Sequence, residues 1–129
     1  MNYLVSFADS RMNKSLIRLS KQAHTLKFFD KVYLLDENNL SNSFKEKFKK
    51  NLILGSKGYG YWCWKPEIIM NVIDKIKDGD CLLYIDAGCY LNIHGKKRLL
   101  EYFNLLKLQD KGVIAFQAVE PNKENSNLK

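Results

Sequence analysis

Long apolar runs are missing from this 129-residue chain: none approaches the ~18 to 20 residues that cross a bilayer, so a soluble or at most peripheral protein is expected. Cysteine is scarce too. Cys63, Cys81 and Cys89 are odd in number and form no CxxC pair, which excludes a disulfide framework, fits a reducing compartment and suggests three buried thiols. Together with His94 they also lack the close ligand pairs of a structural zinc site. Neither GxxxxGK[ST] nor GxGxxG occurs, so P-loop and Rossmann dinucleotide readings have no motif behind them. His24 and His94 carry no elbow or flanking signature of a Ser/His/Asp or Cys/His catalytic set. MNYLVSFADSR lacks the basic and apolar regions of a signal peptide, and a cytoplasmic location is expected.

What is there is an ordinary globular composition, 46% hydrophobic and 27% charged, in a length that fits one domain with a real core. The formal net charge of +7 comes mostly from lysine and favours polyanions, nucleotide phosphates or an anionic membrane face without choosing among them. Its densest stretch, FKEKFKK at 44–50, reads as a solvated helix surface with Phe44 and Phe48 on one face.

Short apolar runs alternate with amphipathic stretches. YLVSF at 3–7 is a strand, and after the capping residues Asp9, Ser10 and Asn13 a helix carries Met12, Leu16, Leu19, Ala23 and Leu26 on one stripe, with Lys14, Arg18, Lys21 and Gln22 facing elsewhere. VYLLD at 32–36 is a second strand, a weaker helix covers 43–50, and NLILG at 51–55 stays open between strand and irregular chain. Pro66 suits the first turn of a helix bearing Ile68, Ile69, Val72, Ile73 and Ile76, which Gly79 stops. CLLYID at 81–86 is a third strand, 95–108 a helix and GVIAFQAV at 112–119 a fourth strand. Continuous apolar strands between helices predict an α/β fold, a mostly parallel sheet covered on both faces. The tail 120–129 is polar and expected to be disordered or loosely attached.

In open parallel sheets ligands gather at the carboxyl ends of strands. Asp36 ends one apolar run and Asp86 another, the latter running into Ala87-Gly88, whose small side chains let a ligand approach the backbone. Either carboxylate can bind a ligand or simply cap a turn, and Asp36, before Glu37-Asn38-Asn39, leans toward capping. Lys65 precedes the proline-started helix, where free N–H groups welcome an anion. Around it Tyr59, Tyr61, Trp62 and Trp64 are either core or a stacking platform, core being the commoner fate of aromatics.

GYGYWCWKPEIIM from Gly58, followed by DGDCLLYIDAGCYLNIHG, resembles bacterial glycosyltransferases of the GT-A type that build lipooligosaccharide (lipopolysaccharide) and capsule. The pair spans about 58–95, with VSFADS and VYLLD compatible upstream. The resemblance implies a nucleotide-sugar-binding α/β domain over residues 1–119 and a sugar transfer to a surface-glycan or glycolipid acceptor, at or near the cytoplasmic face of the inner membrane. Carried over by position, Ser6, Phe7 and Ala8 lie near the base, Asp36 bonds a base or ribose edge, and Lys65 faces the diphosphate. Asp86 is the first Asp of a DxD-like motif with Ala87 and Gly88 beside it, and a Mn²⁺ or Mg²⁺ ion on Asp86 is the cofactor implied. Gly88 replaces the motif's second carboxylate. No residue is marked as the catalytic base, because the part of such enzymes that commonly supplies it follows the fourth strand, and the chain is expected to be the donor-binding part, incomplete at its C-terminus. Two alternatives stand beside this: a non-catalytic nucleotide or nucleic-acid binding module, disfavoured because the basic residues are spread over the whole chain, and a folded remnant that binds nothing.

Overall fold

The computed structural model describes residues 1–117. At their centre β1 (Asn2–Phe7) is flanked on one side by β2 (Lys31–Leu35) and on the other by β3 (Cys81–Tyr84), both parallel to it. Parallel neighbours need long crossovers, and the chain supplies them. α1 (Asn13–Leu26) links β1 to β2; α2 (Asn42–Lys47), the single turn α3 (Gly58–Tyr61) and α4 (Lys65–Ile73) lie between β2 and β3; α5 (Lys96–Leu108) follows β3. The α/β class is as the alternating runs imply. Because β1 sends its successors to opposite sides, the switch point of the sheet lies between the carboxyl ends of β1 and β3.

β1 is buried from Tyr3 to Phe7, and strand alternation divides its side chains between two faces. Val5 and Phe7 meet Trp64, Ile68 and Val72 in the larger cluster, while Ala8 packs with Leu16, Ala87 and Leu34 in the second. α1 buries Leu16, Leu19, Ala23 and Leu26, four of the five residues of the expected stripe. Met12 departs from it and is exposed, because α1 begins only at Asn13: Asp9 caps a preceding 3₁₀ turn, Ser10–Met12, by accepting the Arg11 N–H. Pro66 lies in the first turn of α4, whose buried residues are Ile68 and Val72.

Several expectations are corrected. Only Cys81 of the three thiols is buried; Cys63 is half-buried, and Cys89 sits exposed in the loop after β3. The helix expected over 43–50 stops at Lys47, with the Phe44 and Phe48 rings 4.6 Å apart, and 51–55 is irregular. The strand expected at 112–119 is not formed over 112–117. Gly112 has a left-handed φ of 64°, outside the range of an extended strand, and Phe116 packs edge-on against Tyr102 of α5 at 4.9 Å. β3 borders an apolar groove of about 430 Å³ between α4, α5 and 112–116. Residues 118 and 119 of the expected strand and the tail 120–129 lie outside the described residues. Among the described residues, no helix is long and apolar enough to cross a membrane.

Candidate functional site

A pocket of about 200 Å³ opens at the switch point. One wall is Phe7 at the end of β1 with Ala8 and Asp9 just after it; the opposite wall is Asp86, Ala87 and Gly88, in the loop that follows β3. Gly58, Tyr59, Trp62 and Trp64 close it from a third side.

The third side has an unusual backbone. Gly58, Tyr59, Gly60, Tyr61 and Trp62 all have positive φ, between 46° and 83°, and the Tyr61 and Trp62 N–H groups donate to the carbonyls of Lys57 and Gly58 at 2.8 and 3.0 Å. α3 is therefore one turn of left-handed helix. Left-handed geometry costs an L residue roughly 1–2 kcal/mol, so Tyr59, Tyr61 and Trp62 together store about 3–6 kcal/mol that the surroundings must offset. Packing and hydrogen bonds do so. Tyr59 is buried near Phe7, the Trp64 Nε1–H donates to the Gly58 carbonyl at 3.0 Å, and the Gly60 N–H donates to the Ser56 hydroxyl at 2.9 Å. Glycine is required twice: a Cβ on Gly58 would lie 2.5 Å from the Trp62 indole, and one on Gly60 would lie 2.9 Å from the Asn51 carbonyl oxygen.

A paired prediction follows from exposure. Tyr61 is 70% exposed, so Tyr61→Gly relieves left-handed strain without losing a core contact and should stabilise the fold by up to about 1 kcal/mol. Gly60→Ala, against a rigid backbone carbonyl, should destabilise by more than about 1 kcal/mol. Urea midpoints of the two variants check both signs.

The aromatics of this segment therefore split. Tyr59 and Trp64 are core, Trp64 stacking on Phe7 at 4.0 Å, whereas Trp62, 43% exposed, forms pocket wall and Tyr61 faces outward.

Asp86 is held by two donors on one oxygen. Lys65 Nζ lies 3.0 Å from Oδ1, and the Tyr84 hydroxyl donates to the same atom in a short hydrogen bond. Among the described residues no donor reaches Oδ2, which leaves it to accept from a ligand hydroxyl. Burial by itself would raise the Asp86 pKa; the Tyr84 hydroxyl and the Lys65 ammonium outweigh it and hold the carboxyl below its ordinary value. The Tyr84 phenol is pushed up by burial and by the neighbouring carboxylate, so it remains a donor. With the folded pKa below the unfolded one, the ion pair is complete above about pH 4 and fades as pH falls through the lowered value. A ¹³C carboxyl titration should place the Asp86 midpoint below ~3.9, with Lys65→Met moving it upward. A midpoint unmoved by that change would deny Lys65 its part.

Asp9, only 7% exposed, has both oxygens engaged by Arg11: Oδ1 accepts from Nε at 3.0 Å and Oδ2 from Nη2 at 3.1 Å. Those bonds lower its pKa against the opposing effect of burial. It remains a charged wall residue.

Of the residues singled out in the sequence, the fold gathers Phe7, Ala8, Asp86, Ala87 and Gly88 around one pocket, and Lys65, outside its lining, reaches the site through Asp86. Ser6 and Asp36 are not among its lining. Ser6 is fully buried, its hydroxyl without a partner among the described residues. Asp36 caps the turn after β2: its carboxylate accepts the Asn38 N–H and its own N–H donates to Asn39 Oδ1, each at 2.8 Å. Tyr84 was missed, though as the last residue of β3, two before Asp86, it is spaced as same-face residues of an extended chain are, and its hydroxyl meets the carboxylate. Asp9 was noticed only as a cap. No family model, curated protein or solved structure matches the chain.

The arrangement offers a cation, an acceptor oxygen, an aromatic wall and small side chains where two strand ends diverge. Such a set can hold a polar ring through its hydroxyls and an adjacent anion through Lys65. Among the described residues no group of three or more His, Cys, Asp or Glu side chains could hold a metal ion.

Proposed function

We propose that the pocket binds part of a nucleotide-sugar, and that the chain is a glycosyltransferase, or the donor-binding part of one, acting on a surface-glycan or glycolipid acceptor. The observation that carries this is the Lys65–Asp86 pair, 3.0 Å apart, whose carboxylate partner lines a pocket at the sheet's switch point. The resemblance of GYGYWCWKP and YIDAG to GT-A enzymes supplies the family-level expectation, including a GT-A-like sheet. About 200 Å³ is less than the roughly 300–1,000 Å³ of a cleft that encloses a whole drug-sized ligand, so the pocket suits one ring of the donor and leaves the rest outside.

In this binding mode Asp86 Oδ2 accepts from a ribose or sugar hydroxyl. Lys65 turns toward the diphosphate, where negative charge develops as the nucleoside diphosphate leaves. A divalent cation on Asp86 fits these residues poorly: Oδ1 already faces an ammonium, and the oxygens of Asp9 are taken by Arg11. The charge role therefore goes to Lys65, and no step is routed through a metal.

Tryptophan fluorescence and thermal shift with UDP, GDP, CMP and a UDP-sugar, each with and without Mn²⁺, test the proposal. Saturable stabilisation by one nucleoside diphosphate is expected, with Trp62 as the reporter on the pocket wall. Binding that strictly requires Mn²⁺ would restore the metal to Asp86. The second reading, a nucleotide or nucleic-acid module, draws on the exposure of Trp62 and Tyr61. A single-stranded oligonucleotide that binds with no response to any mononucleotide would favour it.

A further inference from the structure

We infer that Arg18 and Gln22, on the side of α1 that the sequence pattern turns away from the core, are positioning residues for the loop that carries Asp86. The loop from Asp86 to Leu91 belongs to no helix or strand, so its shape depends on what its backbone groups bond to. One bond is internal: the Cys89 N–H donates to the Asp86 carbonyl at 2.9 Å. The others come from α1, about seventy residues earlier in the chain. Arg18 donates from Nη2 to the Ala87 carbonyl at 2.6 Å and from Nη1 to the Cys89 carbonyl at 2.7 Å. Gln22 Oε1 accepts the Leu91 N–H at 3.2 Å and also the Arg18 Nη1 donor at 3.1 Å, joining the two side chains into one unit.

The residue type matters. A forked guanidinium can reach two carbonyls two residues apart while its cation sits over a ring, and the Tyr90 ring centroid is 3.8 Å from Arg18 Cζ. Lysine has the charge without the fork. The loop is thus gripped at Ala87, Cys89, Tyr90 and Leu91, immediately behind the pocket residues Asp86, Ala87 and Gly88. Arg18 and Gln22 are absent from the pocket lining and act through this loop. Fixing Ala87 fixes the direction in which Asp86 leaves β3, and with it the carboxylate that Lys65 and a ligand share.

The ligand part of this inference rests on the proposed donor site; the positioning part does not. Amide hydrogen exchange on the full chain reads the positioning directly. Arg18→Ala and Gln22→Ala should each speed exchange at Leu91 and Cys89 by roughly tenfold or more, while the amides of Leu4 and Val5 in β1 keep their protection. Gln22→Glu, which retains an acceptor oxygen for both donors, should restore the Leu91 amide to near wild-type exchange. In the ligand arm, UDP affinity should fall roughly tenfold in Arg18→Ala and Gln22→Ala and recover in Gln22→Glu, with Arg18→Lys in between. A Leu91 amide that exchanges equally fast in wild type, Gln22→Ala and Gln22→Glu overturns the inference, even if Arg18→Ala fails to fold. A wild-type chain that ignores UDP while Leu91 is deprotected in the Ala variants overturns the donor-site reading and leaves the positioning role standing.

Discussion

Trp64→Ala should lower the urea midpoint of the domain by about 2 M, the largest stability effect expected of any single change discussed. Trp64 is 4% exposed, lies 4.0 Å from Phe7 in a stacked pair, and donates its indole N–H to the Gly58 carbonyl. Truncating a buried tryptophan removes its transfer energy and leaves a cavity, together about 3–5 kcal/mol. At a urea dependence of roughly 1.5–2 kcal/mol per molar, that is the midpoint shift stated. The same hydrogen bond braces α3, so the loss should also loosen the left-handed turn and blunt ligand binding. Trp62→Ala makes the contrast. Its indole is 43% exposed and sits on the pocket wall, so it should change the midpoint little while weakening any ligand that stacks on it. Equal midpoints for the two variants would contradict the division into core and rim.

The largest functional effect should come from Asp86→Asn, which keeps the shape of the side chain and removes its charge. A hydrogen bond to a charged group contributes about 1.5–3 kcal/mol, so nucleoside diphosphate affinity should fall about 10- to 100-fold. Stability should barely move. The carboxylate is half exposed, and a solvent-screened ion pair of this kind contributes about 0–1 kcal/mol. Lys65→Met separates the two halves of the site: it should weaken UDP strongly but uridine little, because the ammonium is assigned to the phosphates. Asp86→Asn should weaken both, because the carboxylate is assigned to a hydroxyl. If both variants weaken UDP and uridine in equal measure, the division of labour between them is wrong.

Much of this architecture was legible in the order of residues. Apolar runs at 3–7, 32–36 and 81–86 hold the three parallel strands, although β2 stops at Leu35 and β3 at Tyr84, so that Asp36 and Asp86 fall just past them, and the alternating spacing of Leu16, Leu19, Ala23 and Leu26 became the buried face of α1. Burial alone determines these positions, and burial leaves a periodic trace. The fourth strand was not legible in the same way: GVIAF has the composition of a strand, yet Phe116 found a partner in Tyr102 on the preceding helix, a tertiary contact that composition does not encode. At the site, Asp86 could be singled out because a carboxylate after an apolar run is chemically out of place. Asp36 looked alike and turned out to cap a turn with Asn38 and Asn39, as the polar residues after it already suggested. Arg18 carried no signal at all. A basic residue off the buried stripe of a helix reads as solvated, and only the fold shows that Ala87 and Cys89 pass within hydrogen-bond reach of it.

The turn at 58–62 has a consequence for chemical synthesis. Its torsions are the mirror image of those an L residue prefers, and so are the ones a D residue adopts without strain. D-tyrosine at position 61, where the side chain is exposed, should fold at least as stably as the natural enantiomer. Cys63 begins the next segment one residue after the turn, so a peptide ending at Trp62 and another beginning at Cys63 can be joined at that thiol, delivering a chain with one inverted stereocentre beside the pocket.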